Sequence, residues 1–124
     1  MAIEPAVAAG RQLIQAYHAG GFRIAGLGHE GSVLVLPERT LPWPVSAPDQ
    51  VTPESLAPIV AAAPAVELLI LGLGPRFLPV AAELRQALKG HGIALEAMDT
   101  GAACRTYNVL LAEERRAAAA LIAL

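Results

Sequence analysis

The rhythm of hydrophobic and polar positions changes near residue 50. Before it, apolar stretches are short and broken by Gly20-Gly21, Gly26, Gly28 and Gly31 and by Pro37, Pro42, Pro44 and Pro48, the punctuation of strands and turns. Phe22-Arg23-Ile24 and Ser32-Val33-Leu34-Val35-Leu36 predict two strands joined across Gly26-Leu27-Gly28-His29 as a hairpin, and residues 12–17 add a further strand.

After residue 50, helical and extended patterns alternate. Thr52-Pro53-Glu54 supplies a capping hydroxyl, a proline at the first helical position and an acid in the first turn, so a helix is expected to about Ala63. Pro58 removes a backbone donor inside it, which calls for a kink or a 3₁₀ turn. Val66 to Leu71 is apolar apart from Glu67, as in a strand covered on both faces. From Pro79 to Lys89, Val80, Leu84 and Leu88 recur every four residues against polar Glu83, Gln86 and Lys89, which predicts an amphipathic helix. Ile93 to Met98 reads as a strand, Thr100 as the cap of a helix to about Glu113, and Ala117 to Ile122 as a last strand. The expected architecture is a single three-layer α/β domain over residues 1–124. Antiparallel strands precede an α-β-α-β-α-β run with a largely parallel sheet and right-handed crossovers.

Composition narrows the function. Hydrophobic residues make up 55% and charged residues 16% of 124 residues, which supports a core and argues against disorder. Nine Lys+Arg face eleven Asp+Glu, net charge -2, and the basic residues are scattered from Arg11 to Arg116. With only five aromatics and none interleaved with basic residues, no nucleic-acid partner is expected. Residues 55–75 carry only Glu67 as a charge, yet Pro58, Pro64, Gly72 and Gly74 interrupt them, so no membrane span is expected. A single cysteine, and residues 1–5 without a basic and then apolar leader, predict a reducing, cytoplasmic setting.

Two loops are expected to leave the carboxyl ends of neighbouring strands, Gly72-Leu73-Gly74-Pro75-Arg76 and Asp99-Thr100-Gly101. Open α/β sheets bind ligands at that edge. Gly72, Gly74, Arg76, Thr100 and Gly101 are therefore candidate ligands for a small anion, with glycines admitting it to the backbone, a helix N-terminus offering N–H groups and Arg76 neutralising charge. The same glycines also suit a plain tight turn, and they form neither a dinucleotide fingerprint nor a phosphate loop.

In the following helix, Ala103, Tyr107, Leu110 and Leu111 share one side, with Ala102, Thr106 and Val109 close by, while Cys104, Arg105 and Asn108 gather on another. A first-turn cysteine beside an arginine can become a thiolate nucleophile, although a lone cysteine is more often a small buried hydrophobe. Arg105 and Asn108 either tie the helix to loop carbonyls or to Asp99, or meet a partner. In the structural case, preferred here, Arg105→Ala costs roughly 1–3 kcal/mol and Asn108→Ala less. Trp43, between Pro42 and Pro44, anchors one half of the chain on the other, or serves as a protein-binding hot spot if exposed. His18, His29, His91 and Cys104 lie apart without ligand spacing, so neither metal nor cofactor is expected.

The run from Met98 to Glu113, with Gly20-Gly21-Phe22-Arg23-Ile24 and Gly31-Ser32-Val33-Leu34-Val35 upstream, resembles a small domain-of-unknown-function family. It includes the mitochondrial complex I (NADH:ubiquinone oxidoreductase) assembly factor three and bacterial and archaeal relatives. The resemblance runs from about Ile14 to Leu124 and takes in Pro42-Trp43 and the segment from Leu69 to Gly74. It implies a compact α/β fold with a parallel-type core and added antiparallel strands, and no catalytic residues. The chain departs from the family at Leu73, where a threonine is common, and near His29, where a tyrosine is frequent; the first departure takes a hydroxyl from the candidate ligand loop. With no catalytic constellation in view, the expectation is a non-catalytic interaction or assembly factor with a protein partner. The alternative is a binding protein or enzyme for a small anionic ligand at the carboxyl edge.

Overall fold

The computed structural model describes residues 10–124. The sequence reading of residues 1–5 lies outside them. Strand β1 (Ile14–His18) pairs antiparallel with β2 (Gly21–Ile24), and β2 with β3 (Leu27–Glu30), making a three-stranded sheet. Between β2 and β3 only Ala25 and Gly26 turn the chain, at φ 49° and 82°. Positive φ at both central positions gives the two-residue hairpin geometry that follows strand twist.

The expected hairpin is thereby corrected: Leu27-Gly28-His29-Glu30 is a strand, not a turn, and the next strand leaves for another sheet. Its mostly exposed edge position leaves it without an apolar alternation to announce it.

The second sheet is built from β4 (Val33–Leu36), β5 (Arg39–Pro42), β6 (Leu68–Gly72), β7 (Ala94–Met98) and β8 (Ala117–Leu121), in the order β5-β4-β8-β6-β7. Strand β6 runs parallel to both β7 and β8, whereas β4 is antiparallel to β5 and β8, so the sheet is mixed. Its centre is unusual in composition: β8 reads Ala-Ala-Ala-Ala-Leu and is buried throughout. Alanine is a poor strand former in isolation, and burial between two strands and two packed faces overrides that preference.

Helix α1 is one turn (Ala57–Val60), preceded by a 3₁₀ turn at Glu54–Leu56; α2 spans Ala82–Lys89 and α3 Thr100–Ala112. The single helix expected to Ala63 is thus broken, as Pro58 requires. Thr52 and Ser55 brace its start reciprocally, Ser55 N–H donating to Thr52 Oγ1 at 3.1 Å and Thr52 N–H to Ser55 Oγ at 3.0 Å.

Side-chain alternation along the strands sends two cores to opposite faces of the mixed sheet. Leu34, Leu36, Leu69, Leu71, Leu95, Ala118 and Ala120 meet α1, α2 and the 43–45 segment on one face. Val33, Val35, Ile70, Ala119 and Leu121 meet α3 and the small sheet, through Phe22 and Ile24, on the other. The result is three layers with the mixed sheet in the middle. Among the described residues no helix is long and apolar enough to cross a membrane.

Candidate functional site

Because β6 and β7 are parallel neighbours, their carboxyl ends bring the two predicted loops together. The loops then close on each other. Thr100 N–H donates to the Gly74 carbonyl at 2.8 Å, Gly74 N–H donates to Thr100 Oγ1 at 2.9 Å, and Thr100 Oγ1 donates to the Ile122 carbonyl at 2.8 Å. The hydroxyl of a fully buried threonine therefore joins three chain segments.

Asp99, not Thr100, caps α3: its Oδ1 accepts from Ala102 N–H at 2.9 Å, and Thr100 is the first helical residue. The sequence reading misplaced the cap by one because both residue types cap well and only the fold decides which side chain faces the helix end.

The glycines at this edge are shaped by packing. A Cβ on Gly72 would lie 3.0 Å from Thr100 Cα and 3.1 Å from both Ala103 Cβ and Leu121 Cδ2. At Gly101 it would meet the Tyr17 hydroxyl at 2.7 Å. Gly74 sits at φ +94°, where a side chain is strained. Of the five candidate anion ligands, Gly72, Gly74, Thr100 and Gly101 are buried and Arg76 alone is exposed. The N–H groups of Gly74, Thr100, Ala102 and Ala103 already have acceptors within the chain.

Along α3 the buried positions are Thr100, Gly101, Ala103, Cys104, Tyr107 and Leu111. Cys104 thus belongs to the packed face, and Val109, expected beside it, is 54% exposed. Burial pushes the Cys104 thiol up to about 12, outweighing the opposing pull of Arg105. The thiol is protonated at neutral pH, in keeping with the small buried hydrophobe that a lone cysteine usually is and not with the thiolate alternative. Asn108 holds the helix to β1 through both ends of its amide: Oδ1 accepts from Ile14 N–H at 2.9 Å and Nδ2 donates to the Ile14 carbonyl at 2.8 Å. Arg105 is exposed and donates from Nη1 to the Tyr17 hydroxyl at 3.1 Å. The geometry argues for the opposite ranking of the two residues, since Asn108 satisfies a backbone donor and acceptor while Arg105 meets an exposed phenol. Trp43 is buried, with Nε1 donating to the Ser55 carbonyl at 2.9 Å, and so anchors the end of β5 to the turn before α1.

The opposite edge was not foreseen. Leu36 ends β4, Val66 precedes β6 and Arg116 precedes β8, so the amino ends of β6 and β8 open onto a cleft of about 470 Å³. Arg11, Arg39, Arg115 and Arg116 line it with Glu38 and Glu114. The basic residues that look scattered in sequence are in part gathered here by the fold; their separations, from Arg11 to Arg116, gave no local signal.

A mixed-sheet α/β domain, with a helix whose Thr100 and Asn108 side chains bond to the chain's own backbone, is the class these features define. The chain belongs to the family described as Protein of unknown function (DUF498/DUF598), whose profile matches residues 14–122. The resemblance drawn from the segment Met98 to Glu113 is thus upheld. NADH dehydrogenase (ubiquinone) 1 alpha subcomplex assembly factor 3 of Danio rerio is 42% identical over 110 residues, covering 89% of this chain and 63% of that protein. The chain therefore spans less than two thirds of that relative. An uncharacterised protein of Rhodobacter capsulatus is 39% identical over 114 residues, covering 92% of this chain and 86% of its own length. A crystal structure described as an outer membrane protein from Bartonella henselae superposes with a TM-score of 0.84 at 39% identity, over 92% of this chain and 96% of that one.

Proposed function

We propose that the chain is a non-catalytic, protein-binding assembly factor, and that the complex it serves is a respiratory NADH dehydrogenase. The observation that carries this reading is the 42% identity to a protein named as an assembly factor of that enzyme, spread over 89% of the chain. The geometry supports it from the other side. The polar groups at the start and middle of α3, Asp99, Thr100 and Asn108, bond to the chain's own backbone. Groups held that way brace a scaffold and are not presented to a substrate.

What remains on the outside suits a partner. Arg105 and Val109 stand one turn apart on the exposed side of α3, with Tyr17 bonded to the first. In the loop that Gly74 and Thr100 pin down, Arg76 is exposed and Phe77 is 57% exposed. Aromatic and arginine side chains of this kind dominate binding energy at interfaces.

A tagged chain, purified from its native cell after gentle crosslinking, tests the reading. Enrichment of NADH dehydrogenase subunits, lost on Phe77→Ser or Val109→Glu, is the expected result. Recovery of the bare protein, together with normal NADH dehydrogenase assembly in cells lacking it, would overturn it.

A further inference from the structure

We propose that the cleft at the amino edge of β6 and β8 is a binding site for a small organic anion, a carboxylate or phosphate carried on a compact apolar body. This goes beyond the assembly reading and does not depend on it. Four of the chain's nine basic residues line this one cleft with two carboxylates, leaving five basic against nine acidic residues elsewhere. A chain of net charge -2 thus has a local excess of positive charge in a concave site, where low-dielectric walls focus the field on an anion.

The four arginines come from three separate segments: Arg11 before β1, Arg39 at the start of β5, and Arg115 with Arg116 between α3 and β8. Arg115 and Arg116 follow the carboxyl-terminal end of α3, where cations complement the helix dipole. That account does not reach Arg11 or Arg39. The Nε of Arg11 is shut off from solvent and has no hydrogen-bond partner among the described residues. A partly buried guanidinium with an unpaired N–H is costly, and an anion seated beside its outer nitrogens recovers part of that cost through charge attraction. Arg116 is already positioned, its Nε donating to the Ala65 carbonyl at 2.8 Å, which fixes one basic wall against the loop.

The remaining lining decides the ligand's body. Residues 61–66 contribute alanines, Pro64 and Val66, and Leu36 and Pro37 join them, so much of the remaining lining is apolar. The volume of about 470 Å³ falls within the range of small-molecule sites. Guanidinium groups hold carboxylate and phosphate alike through paired N–H donors, so head-group chemistry is shared between the two and the choice between them is left to the probes.

The test is a nuclear magnetic resonance titration of the labelled chain with inorganic phosphate, succinate and a short polyglutamate peptide at fixed ionic strength. The expected result is saturable movement of the amide signals of residues 61–66, Arg115 and Arg116 with phosphate or succinate, weakened about tenfold in Arg39→Met, as loss of one charge-assisted contact implies. Arg11→Met is the second variant; Arg39, being exposed, keeps the test valid if Arg11→Met does not fold. Arg76→Ala, at the other edge, serves as the control that leaves the titration unchanged. Shifts that do not saturate, shifts equal in Arg39→Met and the parent, or a response to the peptide alone would each overturn the proposal.

Discussion

At the carboxyl edge of β6 and β7 the backbone donors of two loops have acceptors within the chain, and a threonine hydroxyl takes up the Gly74 N–H that an anion would need. At the amino edge of β6 and β8 four arginines line a cleft, and one guanidinium nitrogen has no acceptor among the described residues. The first edge carries the glycines, capping residues and polar helix face that draw attention in the sequence. The second carries no motif. The difference follows from what local patterns record: closely spaced glycines and caps satisfy backbone geometry, whereas a site built from remote segments needs no local signature.

The largest effect is expected from Thr100→Val, which keeps shape but leaves the Gly74 N–H and the Ile122 carbonyl unpaired in a closed place. Urea melts should show a loss of roughly 2–4 kcal/mol, the cost of stranding two buried groups. A loss within error of zero would mean that the carboxyl edge is loosely held and open to ligands after all.

Alkali probes the same packed helix. The Cys104 thiol is raised from 9.0 to about 12 by burial, so the folded state keeps its proton at a pH where the unfolded state loses it. The stability this contributes is fully present below pH 9 and disappears as pH rises through about 12. By pH 11 the loss is on the order of 2 kcal/mol, and Cys104→Ala should remove that part of the slope. Thiol reagents at pH 8 should label the native chain only as fast as it unfolds; rapid labelling would contradict the burial argument.

Asn108→Ala should cost about 1–2 kcal/mol, because Ile14 loses partners for both its N–H and its carbonyl. Arg105→Ala should stay within about 0.5 kcal/mol, as exposed substitutions do. Sequence alone ranks these two the other way. It shows that they share a face of the helix, but not that Asn108 bonds to the β1 backbone while Arg105 bonds to the exposed Tyr17 hydroxyl.

Much else was legible. The strand at residues 66–71, the α2 periodicity and the broken helix at Pro58 are local consequences of burial and backbone chemistry, and the structure has them within a few residues. Strand β3 was not legible, because an exposed edge strand needs no apolar alternation. The burial of Cys104 was legible as the usual state of a lone cysteine, and the structure places it in one cluster with Phe22 and Ile24. The amino-edge cleft was hidden, its four arginines being spread from Arg11 to Arg116.

The smallest effects on stability belong to the open edge. Arg39→Met and Arg115→Met should change urea midpoints by no more than about 0.5 kcal/mol, while Arg39→Met alters the anion response described above. A large loss from either would mean that the arginines brace the fold, erasing the contrast between the two edges.

Native-state amide hydrogen exchange, followed residue by residue with and without phosphate, tests that contrast most directly. The amides of Gly74, Thr100, Ala102 and Ala103 should exchange only through global unfolding, because each has a partner inside the chain. Phosphate should leave the pattern of protection at this edge unchanged relative to the rest of the core. Fast exchange at Gly74 and Thr100 without phosphate, slowed when it is added, would contradict the account and make the carboxyl edge the binding site.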